Sequence, residues 1–376
     1  MTDVVISGTG LYAPEDKISN DELVESFNKF VDQYNQENAA DIEAGKIEAK
    51  AYSSAEFIEK ASGIKNRHVI DKVGTLDINR MQSEIKDSAL GDDETPCLQA
   101  DWSIKAANQA LKAAGKTGAD VDYVVSGAAL QQRYFPAISI EVQKHLGAKG
   151  YAMDLIMACS SATFALISAY DAILSGRSKC ALVVNPEIFS TLVNYRDRDS
   201  HFIFGDVCTA LVLEAADTCT AEDSWKIINT KAATEFSSNI RSEYGPFTRM
   251  IDDAIFRPDM FFVQQGRKVF KELLPMVTSF IEEQLGECNI GVEDLSRMWL
   301  HQANINMNMY AAKKLLGRLP EPHEAPVVLD EYANTAGAGS IVAFHLHRDD
   351  LKSGDKGLIC SFGAGYSIGG LVVEKT

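Results

Sequence analysis

Short, unbroken apolar runs recur along the chain, each closed by glycine or a polar cluster and followed by a stretch with apolar residues at helical spacing. Cys180-Ala181-Leu182-Val183-Val184 and Gly357-Leu358-Ile359-Cys360 show no polar alternation, so each predicts a strand covered on both faces. Such strands alternating with helices predict an α/β fold with buried sheets under helical layers. The first run, Val4-Val5-Ile6, leads into a glycine-bearing stretch, Ser7-Gly8-Thr9-Gly10.

The order of these elements occurs twice. In the first round, a strand over 122–125 leads through a loop to a helix ending at His145-Leu146-Gly147. A strand over 152–156, a small-residue turn at Ala158-Cys159-Ser160 and a helix ending at Leu174-Ser175-Gly176 follow. In the second round, a strand over 297–300 leads to a helix ending at Leu315-Leu316-Gly317. A strand over 327–329, a turn at Ala333-Asn334-Thr335 and a helix ending at Lys352-Ser353-Gly354 follow. Each round then enters an apolar strand and closes on a last one, over 210–214 and 370–374. Matching helix-ending glycines and matching turns predict two similar halves, residues 1–217 and 218–376, meeting near 215–225.

Two polar stretches, 28–60 and 71–93, interrupt the first half. Neither is rich in Gly, Ser or Pro, so they predict surface insertions, helical in part, and not linkers. At 376 residues the chain can bury a large core. A formal charge of −17 disfavours nucleic acid or an anionic membrane as the main partner. Seven scattered cysteines without a C-x-x-C pair point to a reducing compartment, with no disulfide framework and no zinc site. Residues 1–6 have no basic or long apolar signal region, and no apolar run approaches the ~18 residues of a membrane span. The expectation is a soluble cytoplasmic protein.

Met157-Ala158-Cys159-Ser160-Ser161-Ala162 places a cysteine between an apolar strand and an amphipathic helix. A free thiol titrates near ~8.5, and a helix N-terminus favours its thiolate. Taken alone, the residue reads equally as a nucleophile or as a buried structural thiol. Trp299-Leu300-His301-Gln302-Ala303-Asn304 puts an imidazole at the C-terminal end of a strand, where α/β sites gather. Neutral His301 there either donates a hydrogen bond to a carbonyl or serves a structural role. Asn334 occupies the repeat position of Cys159; its amide is either a second neutral donor or part of a Gly-rich helix cap. Ser361-Phe362-Gly363-Ala364-Gly365-Tyr366 is a small-residue turn whose backbone N–H groups are free to face a developing oxyanion.

In this order, Cys159 before a helix, Phe204-Gly205-Asp206, His301-Gln302-Ala303-Asn304, Asn334-Thr335 and Phe362-Gly363-Ala364-Gly365 resemble the signatures of the beta-ketoacyl-acyl-carrier-protein synthase III family of the thiolase superfamily. Ser62-Gly63-Ile64 and Phe135-Pro136 also fall where that family has similar residues, so the resemblance spans nearly the whole chain outside the insertions. It implies an α/β fold of duplicated βαβαβαββ halves in five α-β-α-β-α layers, with helical insertions in the N-terminal half, and a homodimer. It implies that Cys159 takes an acyl group from acyl-CoA. His301 and Asn334 would then support decarboxylation of a malonyl-acyl carrier protein for a Claisen condensation. The backbone N–H groups of Cys159 and Ala364 would form the oxyanion hole, with Ala364 standing where the family usually has glycine. Phe135 would reach across the dimer to bound the partner's acyl pocket; Phe204, Val263 and Phe362 would line the pocket within the subunit; Asn304 would contact the pantetheine arm. No cofactor or metal is implied beyond the two substrates. The chemistry is consistent: thioester exchange onto a thiolate splits one hard step into easier ones. Loss of carbon dioxide creates a nucleophile without a strong base, so two neutral donors suffice.

The match fails at the mouth of the pocket. Many family members bind the nucleotide end of coenzyme A with a tryptophan and two arginines, where this chain has Phe57, Ala61 and Asn306. The altered mouth, with the insertions in front of it, predicts a medium-chain acyl primer. Arg267, Lys268 and Lys271 form one local basic cluster for an acidic carrier protein, and Lys313-Lys314 another. A thiolase is the nearest competing reading, but it needs a second catalytic cysteine, and Cys360 sits one residue too early on its strand. A ketosynthase or acyltransferase of secondary metabolism shares the same motifs. A non-catalytic acyl-binding subunit is the reading from another class, which the joint presence of Cys159, His301 and Asn334 opposes.

Overall fold

The computed structural model describes residues 3–245 and 257–376. Nine strands form one hydrogen-bonded ladder: β1 (Val4–Tyr12), β2 (Tyr123–Gly127), β3 (Tyr151–Leu155), β4 (Cys180–Glu187), β5 (Val207–Ala215), β6 (Trp225–Ser237), β7 (Leu295–Leu300), β8 (Lys356–Gly363) and β9 (Gly365–Lys375). Their spatial order is β7-β8-β9-β6-β1-β5-β4-β2-β3. Each side of the β1–β6 seam repeats one plan. β2 runs parallel to β4, which is antiparallel to β5, which is antiparallel to β1. Likewise β7 runs parallel to β8, which is antiparallel to β9, which is antiparallel to β6. The junction between the two sets lies between β5 and β6.

The principal helices are α1 (Asn20–Glu37), α2 (Ala55–Ser62), α3 (Leu98–Ala114), α4 (Ile138–Leu146), α5 (Ser161–Leu174), α6 (Gly266–Glu287), α7 (Ile305–Leu316) and α8 (Gly339–Leu346). Helices α5 and α8 share one core with strands of both sets, while α3 and α4 cover the outer face of the first set and α6 and α7 that of the second. This is the α-β-α-β-α arrangement, and it explains why the strands carry continuous apolar runs. In the central layer Trp225, Trp299 and Phe344 meet edge to face, with ring centroids 4.8–5.5 Å apart. Two glycines of β1 allow α3 to lie directly on the sheet, since a Cβ at Gly8 or Gly10 would come within 2.1 Å of the Ala110 or Ala106 carbonyl oxygen.

One expected element is absent. Residues 327–329 form no strand; Leu329–Tyr332 is a short helical turn instead. The Gln302 side chain takes the place of a neighbouring strand: its Oε1 accepts from the Val328 N–H at 3.0 Å and its Nε2 donates to the Pro326 carbonyl. Pro326 itself has no N–H for a ladder. Of the polar insertions, the first is helical through α1, a short helix over Ala39–Glu43 and α2, with an irregular stretch over 44–54, and the second is mostly irregular around a five-residue helical turn.

Candidate active site

Cys159 follows β3 in a tight turn, Ala158–Ser160, that opens directly into α5. The turn works because Ala158 adopts φ 45°, a left-handed conformation that costs a non-glycine residue energy and is held here by its surroundings. Asn334 repeats the device, following Ala333 at φ 58°. The strand-like segment beside it clamps its backbone: Asn334 N–H donates to the Ile203 carbonyl at 3.0 Å, and Gly205 N–H donates to the Asn334 carbonyl at 3.1 Å. This accounts for the Phe204-Gly205-Asp206 motif. Phe204 lines the site, Gly205 makes room for the Tyr332 carbonyl, and buried Asp206 accepts from the N–H groups of Ser190 and Ile70. His301 is placed by the end of β7, where its N–H donates to the Cys360 carbonyl at 2.8 Å.

These three side chains converge on one cavity of about 330 Å³, lined also by Phe57, Phe202, Phe204, Phe262, Leu273, Asn304 and Phe362. Asn334 is oriented by its own turn: its Oδ1 accepts from the Ala336 N–H at 2.9 Å, which leaves the Nδ2 hydrogens to serve as donors. His301 has no carboxylate beside it, and its Nδ1 is buried without a partner among the described residues. Burial lowers its pKa to about 4, so the ring is neutral at physiological pH. Two neutral side chains that can donate hydrogen bonds therefore share one cavity with the thiol.

Burial pushes the Cys159 thiol up to about 12, and the neighbouring Glu187 carboxyl adds to the rise. The backbone N–H groups of Ala364 and of Cys159 itself act in the opposite direction. Those two donors are the predicted oxyanion pair. Cys159 thus rests as a thiol; the N-terminus of α5 favours the thiolate and neutral His301 shares its cavity. Gly363 is required beside it, since a Cβ there would sit 2.5 Å from the Cys159 Cβ.

Asn304 and Phe362 line the cavity, and Phe362 also packs edge-on against the His301 ring at 5.3 Å. Val263 does not line it; Phe262 and Gln264, its neighbours on an extended segment, do. Alternation turns the side chain of Val263 away. Phe135 is 85% exposed and lies outside the cavity, in an apolar patch with Tyr134, Ile140, Met153 and Ile156 along the free edge strand β3. Cys360 is fully buried and does not line the cavity, so the second thiol of a thiolase is missing. Arg267, Lys268 and Lys271 lie on the first turns of α6, whose other face presents Val269 and Leu273 to the cavity.

The mouth has been rebuilt. Asn306 Nδ2 donates to the Ala61 carbonyl at 3.2 Å, so the two positions without arginine close on each other. Sequence reasoning missed Arg198: its guanidinium stands 3.9 Å over the Phe57 ring, and its Nε donates to the Tyr52 carbonyl of the first insertion at 2.7 Å. Its sequence signal is the Arg196-Asp197-Arg198 run just before Phe204-Gly205-Asp206. Glu187 was missed as well.

Buried ionisable groups give a pH prediction with a definite sign. His201, His301 and His345 are lowered to about 4 by burial, from 6.5. The unfolded chain binds protons there first, so stability is lost as pH falls from 6.5 towards 4. Burial raises Glu187 to about 8 and Asp206 to about 7, from 4.5 and 3.8. The folded chain keeps those protons longer, so this stability is lost progressively as pH rises from about 4 to 8, and above 6.5 no histidine gain offsets it. The melting temperature is expected to peak near pH ~6 and fall on both sides; a steady rise from pH 6 to 9 would contradict the assignments. Among the described residues, no helix is long and apolar enough to cross a membrane.

With the geometry in place, comparison with known proteins is informative. Residues 153–235 match the family model for 3-oxoacyl-(acyl-carrier-protein) synthase III, and residues 285–375 match its C-terminal model. A beta-ketodecanoyl-acyl-carrier-protein synthase from Pseudomonas aeruginosa is 49% identical over 94% of this chain and 100% of its own. A beta-ketoacyl-acyl-carrier-protein synthase III from Chelativorans is 30% identical over 87% of this chain and 93% of its own. Among solved structures, the synthase III of Aquifex aeolicus superposes with a TM-score of 0.75 at 24% identity, covering 99% of both chains.

Proposed function

The chain belongs to the 3-oxoacyl-acyl-carrier-protein synthase III family, and on that premise we propose that it condenses a medium-chain acyl primer, carried on Cys159, with a malonyl group on acyl carrier protein. The Cys159 sulfur attacks the acyl-CoA carbonyl, the N–H groups of Cys159 and Ala364 hold the oxyanion, and coenzyme A leaves as the thiol. Malonyl carrier protein then enters. Donors on His301 and Asn334 stabilise the thioester enolate formed as carbon dioxide departs. The enolate carbon attacks the acyl-Cys159 carbonyl, the thiolate leaves, and a 3-ketoacyl carrier protein is released.

The observation that carries this reading is the convergence of Cys159, His301 and Asn334 on one largely apolar cavity. The primer length rests on two supports. The mouth lacks the usual arginines, and the Pseudomonas relative is named for a ten-carbon ketoacyl product, which two malonyl-derived carbons leave with an eight-carbon primer. The apolar patch around Phe135 along β3 supports a homodimer, and the basic face of α6 supports carrier docking. The reading places the protein in the cytoplasm, in fatty-acid synthesis.

Octanoyl-CoA is expected to acylate Cys159 at least ~50-fold more efficiently than acetyl-CoA, since each buried methylene contributes ~0.8 kcal/mol. Acylation rates with the two donors, measured side by side, decide this; a strong preference for acetyl-CoA overturns the primer assignment.

A further inference from the structure

We propose that Glu187 is the positioning residue of the decarboxylation half-reaction, holding the turn after Asn334 so that the asparagine amide donates into the cavity. This rests on the reading above, in which Asn334 stabilises the enolate.

Glu187 ends β4 and is fully buried, and no cation is among the groups that shift its pKa in the described residues. It does not line the cavity and so does not touch substrate. Its Oε1 accepts from the Gly337 N–H at 3.0 Å and from the Ala129 N–H at 3.0 Å. Gly337 lies one residue after Ala336, whose N–H fixes the Asn334 Oδ1 and whose φ is 47°. The carboxyl therefore braces the strained turn that orients the Asn334 amide. Ala129 begins the loop that runs to Phe135, so the same atom ties that loop to the asparagine turn.

The Cys159 turn backs onto the same point. A Cβ at Gly337 would lie 2.7 Å from the Glu187 Oε1 and 3.4 Å from the Ala158 carbonyl oxygen. Glycine is thus needed for space at a position where its φ is ordinary. The two strained turns approach each other at Gly337, and the hydrogen bonds of Glu187 go to the asparagine side, at the Gly337 N–H, and to the Ala129 N–H. A carboxyl kept in this dry setting costs desolvation, which a purely apolar residue would avoid. Its two backbone bonds offset that cost and fix the turn. Burial raises its pKa to about 8, so at neutral pH the group is largely protonated, a form that a glutamine amide copies in shape.

The test separates the two half-reactions. Glu187→Ala is expected to slow malonyl-carrier decarboxylation by at least ~30-fold while octanoyl-CoA acylation of Cys159 stays within ~3-fold, because only the asparagine turn loses its brace. Glu187→Gln should restore decarboxylation to within ~3-fold of wild type. Gly337→Ala, which pushes on the same oxygen from the other side, should reproduce the selective loss and decides the matter if the alanine variant at 187 does not fold. Equal losses in both half-reactions, or unimpaired decarboxylation in Glu187→Ala, overturn the proposal. A wild-type protein that acylates but never decarboxylates malonyl carrier would instead overturn the functional reading beneath it.

Discussion

Cys159→Ala is expected to lower primer condensation by at least ~10⁴-fold, the scale on which removing a covalent nucleophile acts. In the proposed mechanism the Cys159 sulfur is the nucleophile: Cys360, the nearest competing thiol in sequence terms, is sealed in the core of the second half. The loss should be confined to one half-reaction. His301 is fixed by the backbone of β8 and Asn334 by Ala336 and Ile203, none of which depends on the thiol. Malonyl-carrier decarboxylation by Cys159→Ala should therefore persist within ~10-fold of wild type. Release of carbon dioxide alongside acyl incorporation measures both; a variant that still condenses primer would remove Cys159 from the mechanism.

Asn334→Ala and His301→Ala are expected to show the reverse pattern. Each removes one of two neutral donors aimed at a developing enolate, a loss of ~10²–10³-fold in decarboxylation. Acylation should fall far less, because in the proposed mechanism its oxyanion is held by the backbone N–H groups of Cys159 and Ala364 and not by these side chains. Replacing both residues should not multiply the two losses, since they act as a unit. Acylation kinetics with octanoyl-CoA, set beside decarboxylation kinetics for each variant, check this. Comparable losses in both half-reactions would assign His301 or Asn334 to the thiol and not to the enolate.

The sequence reads well where chemistry depends on local structure. Cys159 lies between a strand and a helix, His301 at a strand end, and Asn334 at the turn that repeats the cysteine turn. Each signal is complete within about ten residues. The duplicated strand order was legible for the same reason, because each apolar run is local; the helix expected to end at Lys352-Ser353-Gly354 instead stops at Leu346. The failures have the opposite character. The missing strand at 327–329 depends on the Gln302 side chain, 26 residues away, capturing the Val328 N–H. Val263 and its neighbours differ only in which way one short extended segment faces. Glu187 looks like any charged residue at a strand end; its burial is set by partners 58 and 150 residues distant. Arg198 likewise gains meaning only when folding brings Phe57 beneath it. Sequence pattern thus exposed the reacting groups, while the residues that aim and frame them emerged from long-range contacts.

The most direct test of the account is peptide mass spectrometry of the protein after exposure to octanoyl-CoA, followed by malonyl-acyl carrier protein. The account predicts one octanoyl group on the peptide carrying Cys159, then its disappearance with formation of 3-ketodecanoyl carrier protein. An acyl group on another residue, or an octanoyl-Cys159 that malonyl carrier protein never discharges into a ketoacyl product, would contradict it.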